Sequence, residues 1–175
     1  VKSILNRKAL FDFAEAKEEV TEVNLDAELI EVDEQQKLHE MLKYLNSSFA
    51  ITTDNLTMHL ATDEKEFVLY TSGEIFNLNI DLIRKLFANE NQKICFDAKN
   101  LMHELNNYGI EINNYFDTSI AIYVANEMDA EITLDDAFKL NNIATETKAC
   151  ALIKLKEIYI GKLINNLQLK LFSDI

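Results

Sequence analysis

Apolar positions change their period several times along this chain, and each change marks an element. Leu38, Met41, Leu42 and Leu45 fall at helical spacing, so Gln35–Leu45 reads as an amphipathic helix. Ser47-Ser48 break it, and three short runs follow. Phe49–Thr53 is compact, apolar and β-branched. Leu56–Thr62 alternates, with Leu56, Met58 and Leu60 on one side and Thr57 and His59 on the other. Glu66–Thr71 carries Phe67, Val68, Leu69 and Tyr70. Asp54-Asn55 and Asp63-Glu64 supply the tight turns of an antiparallel β-meander.

Downstream the period lengthens again. Asn79 is placed to cap a helix through Ala88, with Ile80, Ile83, Leu86 and Phe87 inward. Lys93–Phe96 reads as a short buried strand, and Ala98–Asn107 as a helix with Leu101, Met102 and Leu105 on one face. Gly109 fits a helix stop that needs positive φ. A brief extended segment leads to Asp117, which caps a helix reaching about Ala125. Thr133 caps Leu134–Leu140. Thr145 begins a long last helix with Ala149, Leu152, Ile153, Leu155, Ile158, Tyr159, Leu163 and Leu167 as candidate core. From Phe49 onward the order is β-β-β-α-β-α-(short β)-α-α-α, which argues an α/β fold with a mixed sheet flanked by helices.

The N-terminal part is patterned differently. Residues 1–20 read as a linker that becomes helical, with Ile4, Leu5, Leu10, Phe11 and Phe13 apolar. Residues 15–40 hold most of the acidity, broken by Val20, Val23, Leu29, Ile30 and Val32, so an exposed connector precedes a strand near Leu29–Val32. A solvated face is the default reading of that acidity, and an acidic mimic of DNA the sharper alternative.

Composition narrows the function classes. The 175 residues suffice for one domain with a sizeable core. With 17 Lys and Arg against 30 acids the formal charge is −13, the wrong sign for a module that grips phosphates by itself. No apolar run approaches a membrane helix and no leader opens the chain, so a cytoplasmic, non-membrane protein is expected. The opening Val1 suggests a fragment of something longer. Cys95 and Cys150 lie far apart in apolar surroundings and read as two buried thiols; neither CxxC nor HExxH occurs. His39, His59 and His103 have no partner at ligand spacing and read as lone surface or edge histidines, and no nucleophile motif occurs. Proline is absent and glycine occurs three times, which points to an AT-rich genome and removes the usual turn punctuation.

The segment from Lys93 to Asn126 is specific in order and spacing. Phe96-Asp97-Ala98-Lys99, then Asn107-Tyr108-Gly109-Ile110-Glu111, then Phe116-Asp117-Thr118 resemble the middle of the 3′–5′ exonuclease domain of bacterial DNA polymerase I, family A. Lys2-Ser3-Ile4-Leu5 is similar to the place where the 5′ nuclease region of these polymerases ends, and Leu163 to Phe172 to the exit toward the polymerase region. The resemblance implies the ribonuclease H-like fold of DnaQ-type 3′–5′ exonucleases. It also implies a division into residues 1–28, a linker from the preceding nuclease region, and residues 29–175, the exonuclease-like domain.

The resemblance fails where the chemistry would sit. A two-metal nuclease needs carboxylates from separate segments to hold two cations about 4 Å apart. Active members end the first strand in Asp-x-Glu; here the matching place reads Thr52-Thr53-Asp54, so Thr52 replaces the first acid and Asp54 alone stands for the second. Asp54 also sits in Asp-Asn, a favoured turn pair. The second motif's aspartate falls on Leu101. The third motif's tyrosine and aspartate fall on Lys148 and Leu152. Each leucine contributes roughly 1.5–3 kcal/mol if fully buried, so the pattern is that of a site converted into core. Asp97, about one helical turn before Leu101, is the residue a register shift would bring in.

The reading assigns no catalytic, cofactor-binding or metal-ligating residue. It expects a vestigial, catalytically inactive domain that supports the polymerase region of the same parent chain. That parent is expected to be a monomeric DNA-directed DNA polymerase, touching DNA and Mg²⁺ outside this domain. The competing enzyme class is an active proofreading exonuclease, which predicts acids clustered in a groove. A third class is an interaction module working through the acidic connector, which predicts an exposed apolar patch beside residues 15–35.

Overall fold

A computed structural model describes residues 22–126 and 131–166. The predicted stretches at 1–20 and Leu167 lie outside the described residues. Among the described residues fifteen elements follow one another: β1 (Val23–Asn24), β2 (Glu28–Glu31), α1 (Gln35–Tyr44), β3 (Phe49–Thr53), β4 (Thr57–Ala61), β5 (Lys65–Tyr70), α2 (Glu74–Leu78), α3 (Ile80–Ala88), β6 (Lys93–Cys95), α4 (Ala98–Asn106), β7 (Tyr115–Asp117), α5 (Thr118–Asn126), α6 (Leu134–Leu140), β8 (Ile143–Ala144) and α7 (Lys148–Asn165).

Six strands form one mixed sheet in the order β2-β5-β4-β3-β6-β7. The meander β3–β4–β5 is antiparallel, while β2 joins β5, β6 joins β3 and β7 joins β6 in parallel. β1 pairs in parallel with β8 in a separate two-stranded ladder.

The period of two along the strands divides the core between the two faces of the sheet. Phe49 and Ile51 of β3, Met58 and Leu60 of β4, and Phe67 and Leu69 of β5 pack with α1, α2, α3 and α4. Ala50 of β3, Ile94 of β6 and Phe116 of β7 pack on the opposite side with α5, α6 and α7. Leu101 belongs to the first cluster and Leu152 to the second.

One polar group is buried deep in this framework. Lys93, fully buried at the start of β6, donates to the Asn89 Oδ1 at 2.8 Å, the Asn113 carbonyl at 3.0 Å and the Asn89 carbonyl. Its ammonium therefore ties the end of α3 to the approach to β7, and burial holds its pKa below the ordinary lysine value.

Several expectations are corrected. Glu74–Leu78 is a helix that the sequence pattern did not mark. Leu56 precedes β4 in the turn and is 66% exposed, rather than sharing the buried face of Met58 and Leu60. Asn79 makes no side-chain cap for α3; its amide pairs with the Gln35 amide and donates to the Ile75 carbonyl. The last helix starts at Lys148 after Thr147, not at Thr145. The hydroxyls of Thr145 and Thr147 both reach the Leu25 carbonyl, tying the β1–β2 connection to the start of α7. Gly109 does take the left-handed conformation, at φ +64, and Thr133 does cap α6, in a reciprocal box with Asp136.

Candidate functional site

The C-terminal end of β3 is the place where the exonuclease motifs should converge. Thr52 and Thr53 are half-buried there and Asp54 is exposed. Thr52, Thr53 and Asp54 border an open groove of about 360 Å³ with Thr133, Asp135, Glu146 and Lys148. The sheet face that supplies Thr52 also supplies His59 and Glu66 to this groove. A second groove, about 130 Å³, runs on the other side of Asp54, along Glu104, Asn107 and Tyr108. The Thr53 hydroxyl donates to the Glu104 carboxylate across its mouth.

Asp54 is occupied by its own turn. Its Oδ1 accepts the backbone N–H of Leu56 at 2.9 Å and of Thr57 at 2.8 Å, and its Oδ2 accepts the Thr57 hydroxyl at 2.7 Å. The Thr57 hydroxyl, with the two N–H groups and nearby His59, holds this carboxyl below the usual carboxylate range, against a smaller opposing effect of burial. Because the folded value is depressed, the Asp54 contribution to stability is complete above the unfolded carboxylate pKa and is lost as pH falls through the folded value. The Asp54→Asn protein should therefore lose stability less steeply than the parent below about pH 4, measured as urea midpoints across an acid series.

The other three positions hold no acid. Leu101 is 5% exposed and Leu152 fully buried, in clusters on opposite faces of the sheet. Lys148 pairs with Asp135 at 2.9 Å on the groove rim. Asp97, the candidate under a register shift, sits at φ 62, accepts the Asn100 N–H and side-chain amide, and caps α4. Among the described residues no three His, Cys, Asp or Glu side chains converge in a way that would hold a metal ion. A hydroxyl, one carboxylate engaged by three donors of its own turn, two buried leucines and a lysine do not fit a pair of hard divalent cations, which take oxygen ligands.

Two carboxylates carry the architecture instead. Asp117, 6% exposed, accepts four bonds: Asp97 N–H at 3.0 Å, Ala98 N–H at 2.8 Å, Ser119 N–H at 2.9 Å and the Ser119 hydroxyl at 2.6 Å. It caps α5 as expected and also clamps the β6–α4 turn. Glu66, 1% exposed, accepts the Cys150 N–H at 2.8 Å in the first turn of α7, where a helix favours negative charge. Its other oxygen meets His59 Nδ1 at 2.9 Å, and His59 Nε2 lies 3.1 Å from the Thr57 hydroxyl. The lone-histidine reading of His59 is thus corrected: it is a link in a chain from Asp54 through Thr57 to Glu66 and α7.

Both cysteines are free and buried. Burial pushes the Cys95 thiol up strongly, and burial with Glu66 and Asp63 pushes Cys150 up to about 11, so neither is a nucleophile near neutral pH. No described helix is long and apolar enough to cross a membrane.

No family model matches the chain. No curated protein matches it. Solved structures do resemble it. The catalytic core of RRP6 from Trypanosoma brucei has a TM-score of 0.63 and 19% identity, covering 85% of this chain and 50% of that one. The POL domain of Pol1 from M. smegmatis, in complex with DNA primer-template and dNTP, has a TM-score of 0.63 and 22% identity, covering 85% of this chain and 29% of that one. The Aedes aegypti Nibbler EXO domain has a TM-score of 0.58 and 13% identity, covering 83% of this chain and 94% of that one. The chain thus spans about half the RRP6 core and less than a third of the Pol1 structure. These likenesses show the fold: a ribonuclease H-like, DnaQ-type 3′–5′ exonuclease fold with a mixed sheet flanked by helices.

Proposed function

We propose that the chain is a vestigial 3′–5′ exonuclease-like domain of a bacterial DNA polymerase I. It is catalytically inactive and serves as structural support for the DNA-directed polymerase region of the same parent. The observation that carries this reading is the occupancy of the carboxylate positions. Thr52, Leu101 and Leu152 stand in three of them, and Asp54 spends its oxygens on the Leu56–Thr57 turn. The likeness to the Pol1 structure supports the placement within a polymerase, and Phe96-Asp97-Ala98-Lys99 and Asn107-Tyr108-Gly109 support it from sequence. In this reading the parent is a cytoplasmic monomer that acts in replication and repair and binds DNA and Mg²⁺ through its polymerase region. This domain needs no cofactor.

The test is degradation of a 5′-labelled oligonucleotide with a mismatched 3′ end by the purified chain in Mn²⁺. The expected result is no shortening. Metal-dependent shortening that Asp54→Ala abolishes would mean that the domain proofreads, and that Asp54 leaves its turn to take a metal.

A further inference from the structure

Four side chains between the β3–β4 turn and α7 form a hydrogen-bonded relay whose protons can be counted. The Thr57 hydroxyl lies 2.7 Å from Asp54 Oδ2 and 3.1 Å from His59 Nε2. His59 Nδ1 lies 2.9 Å from Glu66 Oε2. Each of these three links needs one proton. An ionised carboxylate supplies none, a threonine hydroxyl supplies one and a neutral imidazole supplies one. Two ionised acids and a neutral ring therefore leave one link without a proton. The hydroxyl cannot donate to Asp54 and to His59 at once, so beside an ionised Asp54 it is the ring that donates from Nε2. Glu66 already accepts the Cys150 N–H with its other oxygen, in the first turn of α7, so the ring donates to it from Nδ1 as well.

We propose that folding binds one additional proton in the Asp54–Thr57–His59–Glu66 relay, which makes the relay a pH-sensitive clasp between the β3–β4 turn and the start of α7. The proton sits on the imidazole, and His59 is a cation between two anions. Its surroundings favour that charge. The groove bordering His59 carries Asp54 from the turn after β3, Glu66 from β5, Asp135 from α6, and Glu146 and Lys148 from the start of α7. The Lys148 ammonium is already paired with Asp135 at 2.9 Å. The Cys150 thiol, pushed up to about 11, is neutral over the same range. The His59 side chain is 24% exposed, so protons exchange with it through the groove. The sign of the effect follows from linkage. Below about pH 6.5 a histidine of the unfolded chain is itself charged, and the stabilisation by the clasp is fully present. Above it only the folded chain holds the proton, so stability falls as pH rises and the clasp loosens.

The test compares urea unfolding of the full chain at pH 7 and pH 8 with that of Glu66→Gln and of Thr57→Val. In Glu66→Gln the new amide accepts the Cys150 N–H with its oxygen and donates to His59 Nδ1 with its nitrogen, so all three links close around a neutral ring. Thr57→Val deletes two links and leaves the single proton of a neutral ring for the third. Groups that titrate elsewhere are common to the three chains and cancel in the comparison. Between pH 7 and pH 8 the folding constant of the parent should fall roughly tenfold further than that of either variant, the effect of one proton over one pH unit. If one variant fails to fold, the other decides. A difference below twofold from a folded variant would overturn the proposal, because the relay would then close without the additional proton.

Discussion

Leu152→Asp should unfold most of the protein at room temperature and bring no metal affinity with it. Leu152 is fully buried on α7, in a cluster with Ala50, Ile94, Leu155 and Tyr159. Removing the leucine side chain from such a site costs about 2–5 kcal/mol, and an uncompensated polar group in its place adds to that. The total, on the order of 5 kcal/mol, equals the whole stability of many domains. Far-UV circular dichroism against urea reads the effect directly. This bears on the history of the site. If Leu152 merely blocked an otherwise intact metal seat, an aspartate there would find water and neighbouring acids, and the variant would stay folded. The cluster around Leu152 has no such opening: the Thr52–Asp54 groove is bordered by Lys148, one turn earlier, and not by Leu152.

Asp117→Ala should lower the melting temperature by roughly 10 °C. The substitution removes the acceptor for Asp97 N–H, Ala98 N–H and Ser119 N–H together. Charge-assisted bonds of this kind are worth about 1.5–3 kcal/mol each, and a buried donor left without a partner costs about 1–3 kcal/mol. Allowing for overlap among neighbouring bonds, a loss near 4 kcal/mol is expected, and each kcal/mol moves the midpoint by about 2–4 °C in a domain of this size. Differential scanning calorimetry measures it. Asp97→Asn serves as the contrast. It keeps a capping side chain at a left-handed position that asparagine tolerates, and should change stability by less than about 1 kcal/mol.

The fold was legible in the sequence wherever an element was long enough to show a period. The stripe of α1 and the buried line Ala149, Leu152, Leu155, Tyr159 and Leu163 of α7 are read correctly because several turns repeat the signal, and Phe67 to Leu69 because a continuous apolar run bounded by turns marks a buried strand. Glu74–Leu78 was missed because five residues make little more than one turn, too few to separate a helical spacing from an irregular one. Leu56 was misplaced because alternation continues through the turn that Asp54 makes, and the pattern carries no mark of where pairing begins.

The site divides along the same line. Thr52, Leu101 and Leu152 were visible as changes of chemistry at spaced positions. Asp54 was legible as a turn former because Asx turns are local, closed by bonds to the next two or three residues. The roles of His59, Glu66 and Lys93 were not, because their partners arrive through tertiary structure. Ala61 faces Glu66 and His59 faces Val68 across the β4–β5 hairpin, so His59 and Glu66 are diagonal neighbours on one sheet face. Cys150, which completes the Glu66 set, lies on a helix 84 residues away. The one available hint was a glutamate opening an otherwise apolar strand. Likewise nothing local says that Lys93 would be satisfied by carbonyls at Asn89 and Asn113.

The central claim is that the carboxylate positions of a two-metal site have become turn and core. Calorimetric titration of the folded chain with Mn²⁺ at neutral pH and moderate salt tests it most directly. The account predicts only weak heats that do not saturate in the low millimolar range and that Asp54→Asn leaves unchanged. A saturable site with a stoichiometry of one or two, abolished by Asp54→Asn, would contradict it.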